Sequence, residues 1–128
     1  MFEVYTDGAS TGDPGLAGAG IVIRHDGKTE RFSIPLGECD THEAEFMAVI
    51  KALELCKEMG ADTVSLRSDS QTVVSAIEKE YIHKQSYKPL LTTILTLSKE
   101  FPLFFVKWIP SKQNKADLEA KKAIRANR

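Results

Sequence analysis

Four acids spread along the chain, Asp7, Glu45, Asp69 and Asp117, are the residues whose types can do chemistry. Each has a plain alternative when taken alone. Asp69 can cap a helix, and Glu45 can complement a helix dipole from a solvated rim. Crowded together, the four would repel and raise one another's pKa, and would stay ionised only beside cations. Hard carboxylate oxygens suit Mg²⁺ or Mn²⁺ rather than zinc. Two such ions about 3.5–4 Å apart can clamp the attacking and leaving oxygens of a phosphodiester, one activating water and the other stabilising the leaving oxyanion. No nucleophilic side chain is required, and none is evident. Ser70 has no adjacent base, and neither Cys39 nor Cys56 has a histidine at a suggestive spacing. His25, His42 and His83 form no metal-ligand spacing with those cysteines.

The elements that must position these acids follow from the pattern. Phe2, Val4 and Thr6 alternate with Glu3, Tyr5 and Asp7, the period of a first strand, which Gly8 is expected to break. A loop dense in turn formers, Ala9 to Gly15, leads to a second strand over Gly18–Arg24, whose glycines imply close backbone approach. Asp26-Gly27 is the strongest hairpin signal in the chain, and Thr29–Leu36 returns as a third, antiparallel strand. Asp40-Thr41-His42-Glu43 reads as a capping box opening a helix that runs to about Met59 and stops at Gly60. On it Glu45 is in register with Ala48, Val49, Ala52 and Cys56, which places a carboxylate at the head of the core-facing stripe.

Asp62 to Asp69 is a fourth strand, and Ser70 caps a second helix to about Lys79. A polar link from Glu80 to Lys88 precedes a helix with Pro89 in its first turn. Leu103–Ile109 is nearly all apolar and reads as an interior fifth strand. Asn114 can cap a last helix carrying Asp117, with Lys121, Lys122, Arg125 and Arg128 crowding its end. The order β-β-β-α-β-α-α-β-α implies a mixed α/β sheet with helices on both faces and right-handed crossovers. If the fourth strand lies parallel to the first, Asp7 and Asp69 emerge at one end, where open α/β sheets bind ligands. Glu45 and Asp117 can join them there.

A chain of 128 residues with 42% hydrophobic content is expected to form one domain with a real core, over 1–128. A formal net charge of −1 leaves no global basic footprint of the kind many nucleic-acid binders show, although a local basic face remains open. The start is neither a signal nor a transit peptide, and no apolar run approaches bilayer length. The expectation is a cytoplasmic protein with no membrane contact and no obligate protein partner evident. A helix over 41–58 would hold Cys39 and Cys56 roughly 20 Å or more apart, too far for a disulfide.

The motifs Thr6-Asp7-Gly8, Gly12-Asp13-Pro14-Gly15, Glu43-Ala44-Glu45, Ser68-Asp69-Ser70-Gln71 and Asn114-Lys115-Ala116-Asp117 resemble, in order, those of type 1 ribonuclease H. The resemblance spans nearly the whole chain. It implies the ribonuclease H-like fold and a five-stranded mixed sheet. The implied activity is endonucleolytic cleavage of the RNA strand of an RNA–DNA hybrid, with two Mg²⁺ ions per site and Mn²⁺ as a substitute. By position, Asp7, Glu45, Asp69 and Asp117 match the family's catalytic, metal-binding acids. Gly8, Gly12, Asp13, Gly15, His42, Gln71 and Asn114 match positions near the substrate. The loop of Gly12 to Gly15 would approach the RNA, whose 2′-hydroxyl identifies it, and Gln71 would reach the minor groove.

The chain also departs from that pattern. No histidine lies between Pro110 and Ala116, where many members have one before the last acid. Asp13 puts a charge where an amide is usual, and Thr41, His42 and Glu43 stand where asparagines and a basic residue grip the substrate. No basic helical handle occupies the region of Glu80 to Lys88, as in the compact, reverse-transcriptase-like branch. Each change implies weaker substrate binding or slower chemistry. The second reading is therefore a weak or inactive nucleic-acid-binding module on the same fold.

Overall fold

The computed structural model describes residues 1–127, so Arg128 lies outside the described residues. Five strands form one sheet: β1 (Phe2–Ser10), β2 (Gly15–His25), β3 (Lys28–Cys39), β4 (Thr63–Ser68) and β5 (Leu103–Trp108). Four α-helices accompany them: α1 (Thr41–Glu58), α2 (Gln71–Lys79), α3 (Lys88–Ser98) and α4 (Asp117–Ala126). The strand order is β3-β2-β1-β4-β5. β1–β2 and β2–β3 pair antiparallel, whereas β1–β4 and β4–β5 pair parallel, so the sheet is mixed as expected. None of the described helices is long and apolar enough to cross a membrane.

One face of the sheet carries the main core. Val4, Ile21, Ile23, Val64 and Leu66 meet Phe46, Val49 and Leu53 of α1, Val73 of α2 and Ile94 of α3. Full burial of such side chains contributes roughly 1.5–3 kcal/mol each. α4 lies on the opposite face. A Cβ on Gly18 or Gly20 would collide with the α4 backbone at Ala120, so the two glycines let β2 and α4 touch directly. This is the close approach expected from the glycines of the second strand.

The termini of the elements differ from expectation in two ways. Gly8 does not break β1; it pairs with Ala19, and the ladder continues to Ser10 opposite Ala17. The antiparallel partner satisfies the backbone there, so glycine costs some strand stability without ending the strand. β5 is not interior. It is an edge strand, with Leu103 54% and Phe105 53% exposed. Its apolar composition reflects packing of alternate residues Phe104 and Val106 against the core, not burial on both faces.

The capping box is present in full. The Asp40 carboxylate accepts from the Glu43 N–H at 2.7 Å, and Glu43 Oε1 accepts from the Asp40 N–H at 3.2 Å. Tyr87 adds a third anchor, its hydroxyl donating to Asp40 at 3.1 Å. Burial acts to raise the Asp40 pKa, but the donors from Glu43 and Tyr87 outweigh it and hold this carboxyl below its ordinary range. Cys39 and Cys56 are both free and buried.

Candidate active site

β1 and β4 run parallel in the register Thr6↔Ser68, so the residues that follow, Asp7 and Asp69, emerge side by side. Asp69 sits in the turn between β4 and α2. Ser70 forms the N-cap beyond it, its hydroxyl accepting from the Val73 N–H at 3.2 Å. The indole of Trp108, at the end of β5, donates to the Asp69 carbonyl at 3.1 Å and holds that turn from the neighbouring strand.

Glu45 reaches the same place from α1. A Cβ on Gly8 would overlap the Ala44 carbonyl and the Glu45 backbone nitrogen. The first turn of α1 therefore rests directly on β1 beside Asp7, and only glycine permits it. One carboxylate oxygen from each of Asp7, Glu45 and Asp69 lies within 4.8 Å of the others. All three residues are half-buried.

The electrostatics match that crowding. Burial, then the charges of Asp69 and Asp117, push the Asp7 pKa up from 3.8 to about 8. Burial also raises Glu45, opposed by His42 and reinforced by Asp69. His42 Nδ1 stands 3.3 Å from Glu45 Oε1 across one helical turn. Three acids whose oxygens converge with no lysine or arginine among them form a hard donor set. It fits a divalent cation, which would replace the proton that Asp7 otherwise keeps.

Asp117 stands apart from this trio. It opens α4, and its carboxylate lies close enough to Asp7 to hydrogen-bond with it and raise its pKa. Yet it falls outside the three-oxygen cluster, is about half exposed and pairs with Lys121 at 3.1 Å. Asn114 fixes the approach of this segment. Its Nδ2 donates to the Thr6 carbonyl at 2.9 Å, and its Oδ1 accepts from the Ala116 N–H at 3.0 Å. The side chain is buried, 6% exposed, so its amide is engaged within the chain itself. It does not cap α4 as expected from the sequence: the N-cap position is Ala116, and no side chain among the described residues caps that helix.

The remaining candidates form a rim. The loop of Gly12, Asp13 and Gly15 is closed by Thr11 N–H donating to the Leu16 carbonyl at 2.9 Å. A Cβ on Gly15 would overlap Gly12, so the turn is as tight as its glycines allow. The Ser10 hydroxyl, 2.7 Å from the Cys39 carbonyl, ties this loop to the end of β3. Gln71 is exposed at the start of α2, next to Asp69. Asp13, Asp40, His42, Lys84 and Tyr87 line a cavity of about 200 Å³ on the α1 side.

Lys84 and Tyr87 come from the link that precedes α3, and Tyr87 was not singled out as a site residue from sequence. Lys84 lies over the Tyr87 ring at 4.7 Å, and its charge faces both Asp40 and Asp13. It thereby offsets the acid that Asp13 brings to the loop. Trp108 was missed too, because nothing local in an apolar strand points to a carbonyl 39 residues away.

Comparison with known proteins gives a consistent picture. A family described as reverse transcriptase-like matches residues 5–123. The chain is 42% identical over 127 residues to a provisionally named hydrolase, EbsB, of Enterococcus faecalis, covering 97% of this chain and 94% of that protein. A ribonuclease H of Desulforamulus reducens is 40% identical over 81 residues, which is 63% of this chain and 50% of that protein. The match thus spans about half the length of that ribonuclease H. Among solved structures, RNase H1 of the archaeon Halobacterium salinarum superposes with a TM-score of 0.91 at 29% identity, covering 98% of each chain. LC11-RNase H1, solved with an RNA/DNA hybrid, gives 0.90 at 30% identity, covering 99% of each chain.

Proposed function

The chain belongs to the reverse transcriptase-like family, within the ribonuclease H group, and we propose that it is an endoribonuclease that hydrolyses the RNA strand of RNA–DNA hybrids. The observation that carries this reading is the convergence of Asp7, Glu45 and Asp69 from three separate elements within 4.8 Å. The fold is shared with an RNase H1 solved on such a hybrid.

Asp7, Glu45 and Asp69 would hold divalent cations, Mg²⁺ with Mn²⁺ as a substitute, and Asp117 would complete the set for a second ion by leaving Lys121 for the Asp7 side. Such ions supply the activation of water and neutralise charge developing on the scissile phosphate. The chain's own groups do the rest. Asp7 gives up its proton on loading, because a cation favours the carboxylate that burial and neighbouring acids disfavour. His42 bears on Glu45 and supports its ionised form. The Gly12–Gly15 loop presents backbone close to the RNA, where a 2′-hydroxyl can be recognised. Gln71, exposed two residues after Asp69, would contact the bases, and Lys84 would offer a cation to a phosphate on the α1 side.

The test is cleavage of a labelled RNA–DNA hybrid in Mg²⁺ and in Mn²⁺, with Asp69→Asn beside the wild type. RNA-strand cleavage by the wild type alone is the expected result. It would also show that a histidine in the segment Pro110–Ala116 is dispensable. A folded wild type that binds hybrid but cuts in neither ion would replace the enzyme with a binding module.

A further inference from the structure

α4 covers β1, β2 and β3 on its face of the sheet and leaves the outer halves of β4 and β5 open. On that open ground lies a second concavity, about 500 Å³, separate from the three converging acids. Arg67, Lys107, Lys112 and Lys115 line it, with Tyr5 among the residues of its wall. The register Tyr5↔Arg67↔Lys107 sets three of these on one line across three strands.

The cations are not equally free. Arg67 donates to the Tyr5 hydroxyl at 3.1 Å and pairs with Glu3 at 3.3 Å, so it is held by its neighbours. Lys115 reaches over the Tyr5 ring at 5.9 Å. Lysines that pair with carboxylates in this protein are Lys51, Lys57, Lys121 and Lys122. Among the described residues Lys107, Lys112 and Lys115 have no such partner. A chain of net charge −1 therefore concentrates three uncompensated ammonium groups in one concavity. Two residues along β5 from Lys107, on the same face, Phe105 is 53% exposed.

Phosphates answer the lysines, and a base can stack on the phenyl ring; a groove of cations with an aromatic beside it is how single strands are gripped without sequence preference. A free polyphosphate would use the cations and leave Phe105 without a role. The concavity also adjoins the catalytic end of β1. Asn114 in its wall donates to the carbonyl of Thr6, the residue before Asp7. We propose that this face binds the backbone of a single-stranded nucleic-acid segment flanking the hybrid. Only the hybrid part of that statement rests on the nuclease reading.

The experiment uses the whole chain and a labelled single-stranded oligothymidylate of about 12 nucleotides, in EDTA so that the acid cluster holds no metal. Wild type should bind with affinity that falls as salt rises, the log–log slope being about −0.7 per phosphate contacted. Lys107→Glu should weaken binding about tenfold and flatten the slope by roughly one contact, and Lys107→Arg should restore both. Phe105→Ala should weaken binding severalfold with an unchanged slope. Both positions are exposed, and thermal unfolding checks that each variant is folded.

With Mg²⁺ present, a hybrid carrying a single-stranded extension should show a lower KM than a blunt one, and Lys107→Glu should erase that difference. Wild-type affinity and slope in Lys107→Glu would overturn the proposal. So would binding of inorganic tripolyphosphate that displaces the oligonucleotide while Phe105→Ala has no effect, since the occupant would then be a free polyanion. Failure of the nuclease reading looks different: no hybrid is cut by wild type, whatever the oligonucleotide does in EDTA.

Discussion

Gly8 of β1 and Glu45 of α1 are in backbone contact, so close that a Cβ on Gly8 would overlap the Glu45 nitrogen. The contact brings the helix-borne acid to the strand-borne acid Asp7. Gly8→Ala should push the first turn of α1 outward. The expected cost is about 1–3 kcal/mol of stability, as for overpacking a filled site. It should also weaken divalent-ion binding. Calorimetric unfolding with and without Mn²⁺ reads both effects, and a variant of wild-type stability and metal response would show that the contact is slack.

The raised pKa of Asp7 sets a pH dependence for the metal-free protein. In the unfolded chain this group titrates near 3.8, and in the folded protein at about 8. Between those values the folded state holds a proton that the unfolded state has lost, so stability falls as pH rises, then levels off above about 8. Asp7→Asn should flatten that fall and be more stable than wild type in EDTA at the alkaline end. Thermal unfolding across the range decides it; parallel curves for the two proteins would mean that Asp7 is ionised in the apo site.

Divalent ions should reverse this. Mg²⁺ or Mn²⁺ at 100 times its Kd should stabilise the wild type by about 2.7 kcal/mol through mass action. Binding displaces the Asp7 proton, so affinity should rise with pH up to about 8, and protons should be released in proportion. Asp69→Asn, lacking one of the three converging oxygens, should lose most of the stabilisation. Calorimetric titration in two buffers of different ionisation enthalpy measures the proton release.

Asn114 links Ala116, its neighbour two residues on, to Thr6, 108 residues back in the sequence. Its removal in Asn114→Ala leaves a buried carbonyl and a buried N–H without partners, at about 1–3 kcal/mol for each group. Since Thr6 precedes Asp7 and Ala116 precedes Asp117, the variant should also lose hybrid cleavage beyond its loss of stability. Activity measured well below the variant's Tm separates the two effects. Full activity there would mean that the amide only stabilises.

Much of this was legible locally. The capping box at Asp40 and Glu43, the stop at Gly60, the Asp26-Gly27 hairpin and the cap at Ser70 depend on residues within a few positions of one another, and all are present. Parallel pairing of the first and fourth strands was the condition for Asp7 and Asp69 to share one end of the sheet, and the two strands do pair so. The strength of the Asp7 perturbation did not follow, because burial, its largest cause, belongs to the assembled fold.

What the tertiary structure alone decided concerns partners distant in sequence. The apolar run of β5 carries no mark of an edge strand, since edge or centre depends on which strands pair outside it. Tyr87 reaches Asp40 across 47 residues, and Asp117 faces Asp7 but pairs with Lys121. The open basic concavity draws on Arg67, Lys107, Lys112 and Lys115 from two strands and a loop. By itself the sequence determined which acids exist and at which element ends they stand. Only the packing of α1 on Gly8 and α4 on Gly20 determined how closely they meet, because a carboxylate's position depends on how near one backbone can come to another.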